Sequence, residues 1–251
     1  MRRIKTVLIN ARISDKSVKS YEKFTFTYKM IFKNIDFVFA QSEVDKIRLE
    51  RIGAKNIEIS GNIKITSVPK VTKVFQKPNE FLIIAASTHA NEESLILEQF
   101  DKSFGKMVIV PRHPERFGEV CDLVQKYCEL NKLSFAKFSV SQSLDTDLIV
   151  FDKMGELINL FAISDLVILG GAFEEIGGHN PIEPAFFSPI LISGKNIFNQ
   201  KALFDAVSNY YLIENNEIRR YLEVGKTLQK SSICKQGEIE KILKVINGKS
   251  L

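Results

Sequence analysis

The sequence predicts an α/β protein built on a parallel sheet, and three observations carry that expectation. From residue 81 onward, short apolar runs, "FLIIAAS", "MVIVP", "LIVFD" and "LVILGG", alternate with helical-looking segments. The runs are apolar throughout rather than at every second residue, as suits strands covered by helices on both faces. A second set, "TVLIN", "DFVFAQ" and "IEISG", repeats the arrangement within residues 1–62.

Taken in order, the first set is separated by a basic helix, "KSVKSYEKFTFTYKMIF", and by "SEVDKIRLERIGA". Three strands in so short a stretch are few for a domain of its own, so residues 1–63 read as the end of a larger one. Residues 64–79, within "NIKITSVPKVTKVFQKPNE", hold two prolines and little helical period, and read as a linker. Residues 80–251 form the second domain. Its helices are "NEESLILEQFDKSF", "PERFGEVCDLVQKYCELNK", "MGELINLFAISD" and "NPIEPAFF". Thr88 or Asn91, and Asp152, are candidate caps for the helices they precede.

With 251 residues and 45% hydrophobic content the chain has ample material for a core. Cys121, Cys128 and Cys234 have no metal-like spacing and leave an odd thiol, which points to reduced cysteines in a cytosolic setting. No apolar run reaches the roughly 20 residues of a spanning helix, and "MRRIKTVLIN" lacks the features of a secretory signal. The net charge of +5 is uneven: residues 1–80 hold 17 Lys/Arg against 8 Asp/Glu, and the remainder 18 against 22. A cationic first part suits anionic headgroups or nucleic acid, although a solvated helix surface has the same composition.

All three histidines follow strands directly: His89 after "FLIIA", His113 after "MVIV" and His179 after "LVIL". Ligands of open parallel sheets bind beyond the carboxyl ends of the strands, so these loops are expected to converge on one cleft. Ser87 and Thr88 lead from a strand into a helix start, where free N–H groups favour an anion. Gly170, Gly171 and Ala172 repeat that chemistry, since small residues let a phosphate approach the backbone. Arg112 adds a planar cationic fork beside His113. Met154, Gly155 and Glu156 open another helix. Asn180-Pro181 starts a further one, with Glu183 in its first turn as an acceptor for ribose hydroxyls. A three-histidine zinc site is the rival reading of the histidines, disfavoured by spacing and by the adjacent arginine. There is no GxxxxGK[ST] loop and no nucleophile elbow.

Read together, "NARISDKS", "AQSEVDKIRLERIGA", "SGNIKI", "AASTHANEE", "VPRHPERF", "DKMGELINLFAISDLVILGGAF", "GGHNPIEPA" and "GKNIFN" resemble the 3-deoxy-D-manno-octulosonic acid (Kdo) transferases, in that family's order. The resemblance implies a GT-B-type glycosyltransferase: a Rossmann-like donor domain holding CMP-Kdo, preceded by the last part of a second Rossmann-like domain. It implies inverting, metal-independent Kdo transfer to the lipid A precursor (lipid IVA) in lipopolysaccharide core biosynthesis, without a cofactor. It also implies a peripheral place on the anionic cytoplasmic face of the bacterial inner membrane, with no nucleic acid as partner.

By motif, Arg112, His113, Met154, Gly155, Glu156, His179, Asn180 and Glu183 match the family's CMP-binding residues. Ser87, Thr88 and His89 match a further motif of the cleft, and Arg12 one on the acceptor side. The family usually has Gly where Asn91 stands, Thr for Lys153, Ser for Ala172 and Pro-His for Lys195-Asn196. Its proposed general base lies in a region preceding "NARxS", so the resemblance assigns no catalytic base here and leaves room for a complementing N-terminal chain. Two alternatives stay open: a donor-binding module inactive alone, and another GT-B nucleotide-sugar enzyme such as a UDP-sugar transferase or epimerase.

Overall fold

Two units make up the chain, Met1–Ser67 with Lys235–Leu251, and Val68–Cys234, in a computed structural model that describes residues 4–66, 68–234 and 239–247. In the first unit, β1 (Val7–Ala11), β2 (Phe37–Ala40) and β3 (Ile57–Ile59) form a parallel sheet in that order. The expected basic helix is two helices, Val18–Lys23 and Thr25–Phe32. The break falls in a run of aromatic and β-branched residues with weak helix propensity, where the Thr25 hydroxyl donates back to the Glu22 carbonyl. Helix Glu43–Arg51 starts on Ser42, whose hydroxyl accepts the Asp45 N–H at 3.2 Å.

Alternation along β2 sends Val38 and Ala40 to one face, against Phe32, Leu49 and Ile52, and Phe39 to the other. Phe39 is covered by Ile242 and Val245 of helix Ile239–Ile246. That helix therefore packs with the first unit, whereas the sequence reading placed all of residues 80–251 in the second. Its apolar pair fits an exposed sheet face that strand alternation creates far away in sequence.

The second unit holds β4 (Leu82–Thr88), β5 (Lys106–Pro111), β6 (Phe135–Lys137), β7 (Leu148–Val150), β8 (Leu166–Leu169), β9 (Ile190–Gly194), β10 (Val207–Ser208), β11 (Tyr210–Ile213) and β12 (Ser232–Ile233). Seven of these make an all-parallel sheet in the order β11-β9-β8-β4-β5-β7-β6, and β10 pairs antiparallel with β12. The sequence reading found β4, β5, β7 and β8. Leu82 to Ala86 are fully buried, as a strand covered on both faces requires. Burying a side chain such as Ile83 or Ile84 contributes about 1.5–3 kcal/mol. The chain builds outward from β4 first through β5 and then, on the other side, through β8, so the strand order reverses beside β4. A crevice opens at the carboxyl end of the sheet at such a point.

The segment read as a linker over 64–79 divides. Ile63–Thr66 is a 3-10 helix of the first unit, and the residues from Val68 belong to the second. Buried Asn159 accepts the N–H groups of Thr72 (2.9 Å) and Lys73 (3.2 Å), and Phe75 packs edge-on to Phe138 and Phe151. This strap carries the Lys73 Nζ to 3.9 Å from Glu156.

The expected caps are not made. Asn91 occupies the cap position with φ +72° and no side-chain bond, and the Asp152 carboxylate accepts the Ser139 N–H instead. Helix Leu157–Phe161 begins after Glu156.

Candidate functional site

The strands that precede the three histidines, β8, β4 and β5, are neighbours in the sheet, so their exits lie side by side. His89 Nε2 and His179 Nε2 are 2.8 Å apart, with the two rings within 10° of parallel. The His113 ring stands edge-on to His89 at 5.2 Å. One Nε2 of the close pair carries the proton and the other accepts it, so the two rings hold opposite tautomers. Facing nitrogens at hydrogen-bond distance bond to each other rather than point at a shared ion.

Burial lowers the pKa of His179 to about 4, assisted by His89, Arg112 and His113. His89 is lowered as well, first by burial and then by His113. Both are neutral at pH 7. Each folded value lies below the ordinary value of about 6.5. Their contribution to stability is therefore full above about pH 6.5 and lost as the pH falls through the lowered values, about 4 for His179. NMR titration of the imidazoles is expected to show His179 still neutral at about pH 5.5. A His179 midpoint at or above 6.5 contradicts the buried pair.

Two buried carboxylates hold these exits in place. Glu92, fully buried, accepts the N–H groups of His89 (2.9 Å) and Gly171 (2.8 Å) on one oxygen, and of Ala172 and Phe173 (3.1 Å each) on the other. It ties the exit of β4 to that of β8. Burial raises its pKa while the backbone donors of Gly171, His89 and Phe173 pull the other way. Glu93, equally hidden, receives both guanidinium nitrogens of Arg116, at 2.8 and 3.1 Å, and ties β4 to the turn after β5. Arg116 also bonds Glu119 and is committed to these partners.

This arrangement corrects one expectation. The amides of the Gly-Gly turn are not free for a phosphate: Gly170 N–H bonds the Ala86 carbonyl, and those of Gly171 and Ala172 go to Glu92. The helix after Thr88 likewise starts only at Glu92, so Ser87 and Thr88 are not its first turn. Ser87 is buried with φ +54° at a bulge of β4, and the buried Thr88 Oγ1 has no hydrogen-bond partner among the described residues. An unpaired buried hydroxyl costs free energy.

The remaining residues line the same edge. Arg112 and His113 are exposed at the exit of β5, where the Arg112 N–H bonds the Thr88 carbonyl at 2.9 Å. Among the described residues the Arg112 guanidinium has no hydrogen bond or ion pair. Met154 (57% exposed), Gly155 (φ +79°) and Glu156 follow β7, the next strand of the row. Glu156 Oε2 is buried without a hydrogen bond among the described residues, with the Lys73 Nζ 3.9 Å away.

His179 rests on Gly171, where a Cβ would come within 2.8 Å of the ring. Asn180 accepts the Ile182 N–H and donates to Glu183 (3.0 Å each), fixing that half-buried carboxylate in the short helix Ile182–Ala185. Arg12 is exposed in the loop after β1, in the first unit. Glu92, Glu93, Lys73 and Asn159 were not among the sequence candidates. The only signal for the first two was a pair of acids right after a strand exit.

Comparison with known proteins adds a second line of observation. A family model described as 3-Deoxy-D-manno-octulosonic-acid transferase (kdotransferase) matches residues 1–67. The 3-deoxy-D-manno-octulosonic acid transferase of Haemophilus influenzae is 32% identical over 244 residues, covering 90% of this chain and 54% of the relative. That of Rickettsia prowazekii is 32% identical over 209 residues, covering 77% and 44%. The chain thus spans about half the length of the curated relatives it matches. The crystal structure of the C-terminal CMP-Kdo binding domain of WaaA from Acinetobacter baumannii matches with a TM-score of 0.52 and 30% identity, over 59% of this chain and 81% of that one.

Proposed function

This chain belongs to the 3-deoxy-D-manno-octulosonic acid (Kdo) transferase family, and from that premise we propose that it serves Kdo transfer in lipopolysaccharide biosynthesis by binding CMP-Kdo in its second unit. The observation that carries the reading is the meeting of His89, His113 and His179 at adjacent strand exits, beside an uncommitted Arg112. In this reading the donor phosphate lies by Arg112, His113 and the Met154–Gly155–Glu156 turn, with the unpaired Thr88 hydroxyl and the flanking Ser87 and His89 close to it. His179, seated on Gly171, closes one side. Glu183, held by Asn180, accepts the ribose hydroxyls.

Transfer to a lipid A precursor requires a base to take the proton of the acceptor hydroxyl. We assign that role to no residue of this chain. His89 and His179, neutral and bonded to each other, hold donor groups at fixed positions and contribute no permanent charge. Inversion at the anomeric centre without a metal ion remains part of the proposal, with Arg112 as the fixed cation that offsets charge on the departing CMP.

Ligand-observed NMR of the chain with CMP, UMP and UDP tests the reading. Selective CMP binding that weakens in Glu183→Ala is the expected result. Equal binding of UDP favours a different nucleotide-sugar enzyme, and no binding of any of them removes the donor-site assignment.

The acceptor side of the proposal rests on the first unit. Its two basic helices expose Phe24, Phe26, Met30 and Ile31 among Lys19, Lys23 and Lys33, apolar bulk beside cations that suits peripheral contact with an anionic membrane face. No helix among the described residues is long and apolar enough to cross a membrane. Co-sedimentation with phosphatidylglycerol vesicles is expected, falling severalfold in Phe26→Ser with Lys23→Glu. Binding unaffected by that double change rules the patch out.

A further inference from the structure

Glu92 stands where a phosphate is expected. Three successive amides leaving β8, those of Gly171, Ala172 and Phe173, all point at its carboxylate, and His89 supplies a fourth donor. Successive N–H groups form a concavity that favours an anion. A carboxylate accepts about four hydrogen bonds, so this one is saturated. The concavity lies at the carboxyl end of the sheet beside the reversal of strand order, the place where such folds bind phosphorylated ligands. It is filled by the chain's own anion.

The charge nearby has the same sense. Glu92 makes no ion pair among the described residues, so its negative charge is offset by backbone dipoles only. Arg116 is spent on Glu93 and Glu119. His89 and His179 bond to each other. Arg112 is left as the uncommitted guanidinium of the cluster, enough for one phosphate group.

We infer that Glu92 restricts the donor to one phosphate: it occupies the backbone concavity a second phosphate needs, and its buried negative charge repels one. The inference rests on the CMP-binding reading above and deepens it by naming the residue that excludes a second phosphate. A nucleoside diphosphate with the same base and ribose meets a filled pocket and a like charge. Gly171 and Ala172 then act as the scaffold of the internal anion, not as ligand contacts.

The test is titration calorimetry of the whole chain with CMP and CDP, which differ by a single phosphate. The chain as it stands is expected to bind CDP at least about tenfold more weakly than CMP. In Glu92→Ala the emptied concavity admits the second phosphate, so the ratio falls to about one or inverts, and formate, a small carboxylate that refills it, restores the preference for CMP. CDP bound as tightly as CMP by the unaltered chain overturns the inference and leaves the nucleotide site standing. Failure of both ligands overturns the nucleotide site and the inference together. If Glu92→Ala does not fold, the amide resonances of Gly171, Ala172 and Phe173 in the unaltered chain decide. Amides unmoved by saturating CMP and CDP support the internal anion, and a large downfield shift on adding CDP overturns it.

Discussion

Gly171→Ala is expected to weaken CMP binding by at least about tenfold while leaving the second unit folded. Gly171 has φ +73°, a conformation in which a side chain costs about 1 kcal/mol. The larger effect is local. An added Cβ lies 2.8 Å from His179 Cδ2 and 2.9 Å from His179 Nε2, closer than packed atoms approach. The ring has to move, and the atom displaced is the one that bonds His89. The sheet around it is untouched, so the loss in stability is limited to about 1–3 kcal/mol, read as a drop in melting temperature of several degrees. His179→Ala is the comparison variant, since it removes the ring and leaves the backbone at Gly171 as it is. CMP affinity lost in Gly171→Ala but kept in His179→Ala would mean that the backbone conformation matters and the seat of His179 does not.

How much of this was legible beforehand follows from the range of each interaction. The buried strands β4, β5, β7 and β8 announce themselves because burial on both faces demands an unbroken apolar run. In β9 the buried Ser193 interrupts that run, tolerated because its hydroxyl donates to the Leu169 carbonyl at 2.8 Å. At the edge of the sheet, β6 is three half-buried residues, too short to stand out. The convergence of the histidines was legible because one rule, ligands at strand exits, covers all three.

The grip of Glu92 was not legible. Three of its four partners are backbone N–H groups about eighty positions away, and a backbone amide has no signature in a sequence. Asn91 shows the opposite case. The family usually has Gly there, and φ +72° gives the reason: the position needs a left-handed conformation, which Asn tolerates better than most residues. That departure preserves the turn. The turn, in turn, aims Glu92 inward.

Arg112→Ala is expected to lower CMP affinity by about 10- to 150-fold, the range of about 1.5–3 kcal/mol for a charge-assisted hydrogen bond. The argument starts from what Arg112 does not do. Its side chain is exposed and makes no hydrogen bond or ion pair among the described residues, while its backbone N–H is fixed to Thr88. Removing it therefore changes stability by no more than about 0.5 kcal/mol, the ordinary effect of a surface substitution. A guanidinium without a partner at the exit of a central strand is free for the donor phosphate proposed above. Arg112→Lys retains the charge without the planar fork and is expected to fall between the two. A second readout needs no ligand. Arg112 is one of the charges that lower the pKa of His179 to about 4, so in Arg112→Ala the His179 midpoint moves upward. An upward shift with unchanged CMP affinity means that the residue faces the histidines but not the donor. If neither moves, Arg112 points away from the crevice and the cation of the site has to be sought elsewhere, with Lys73 next to Glu156 the first candidate.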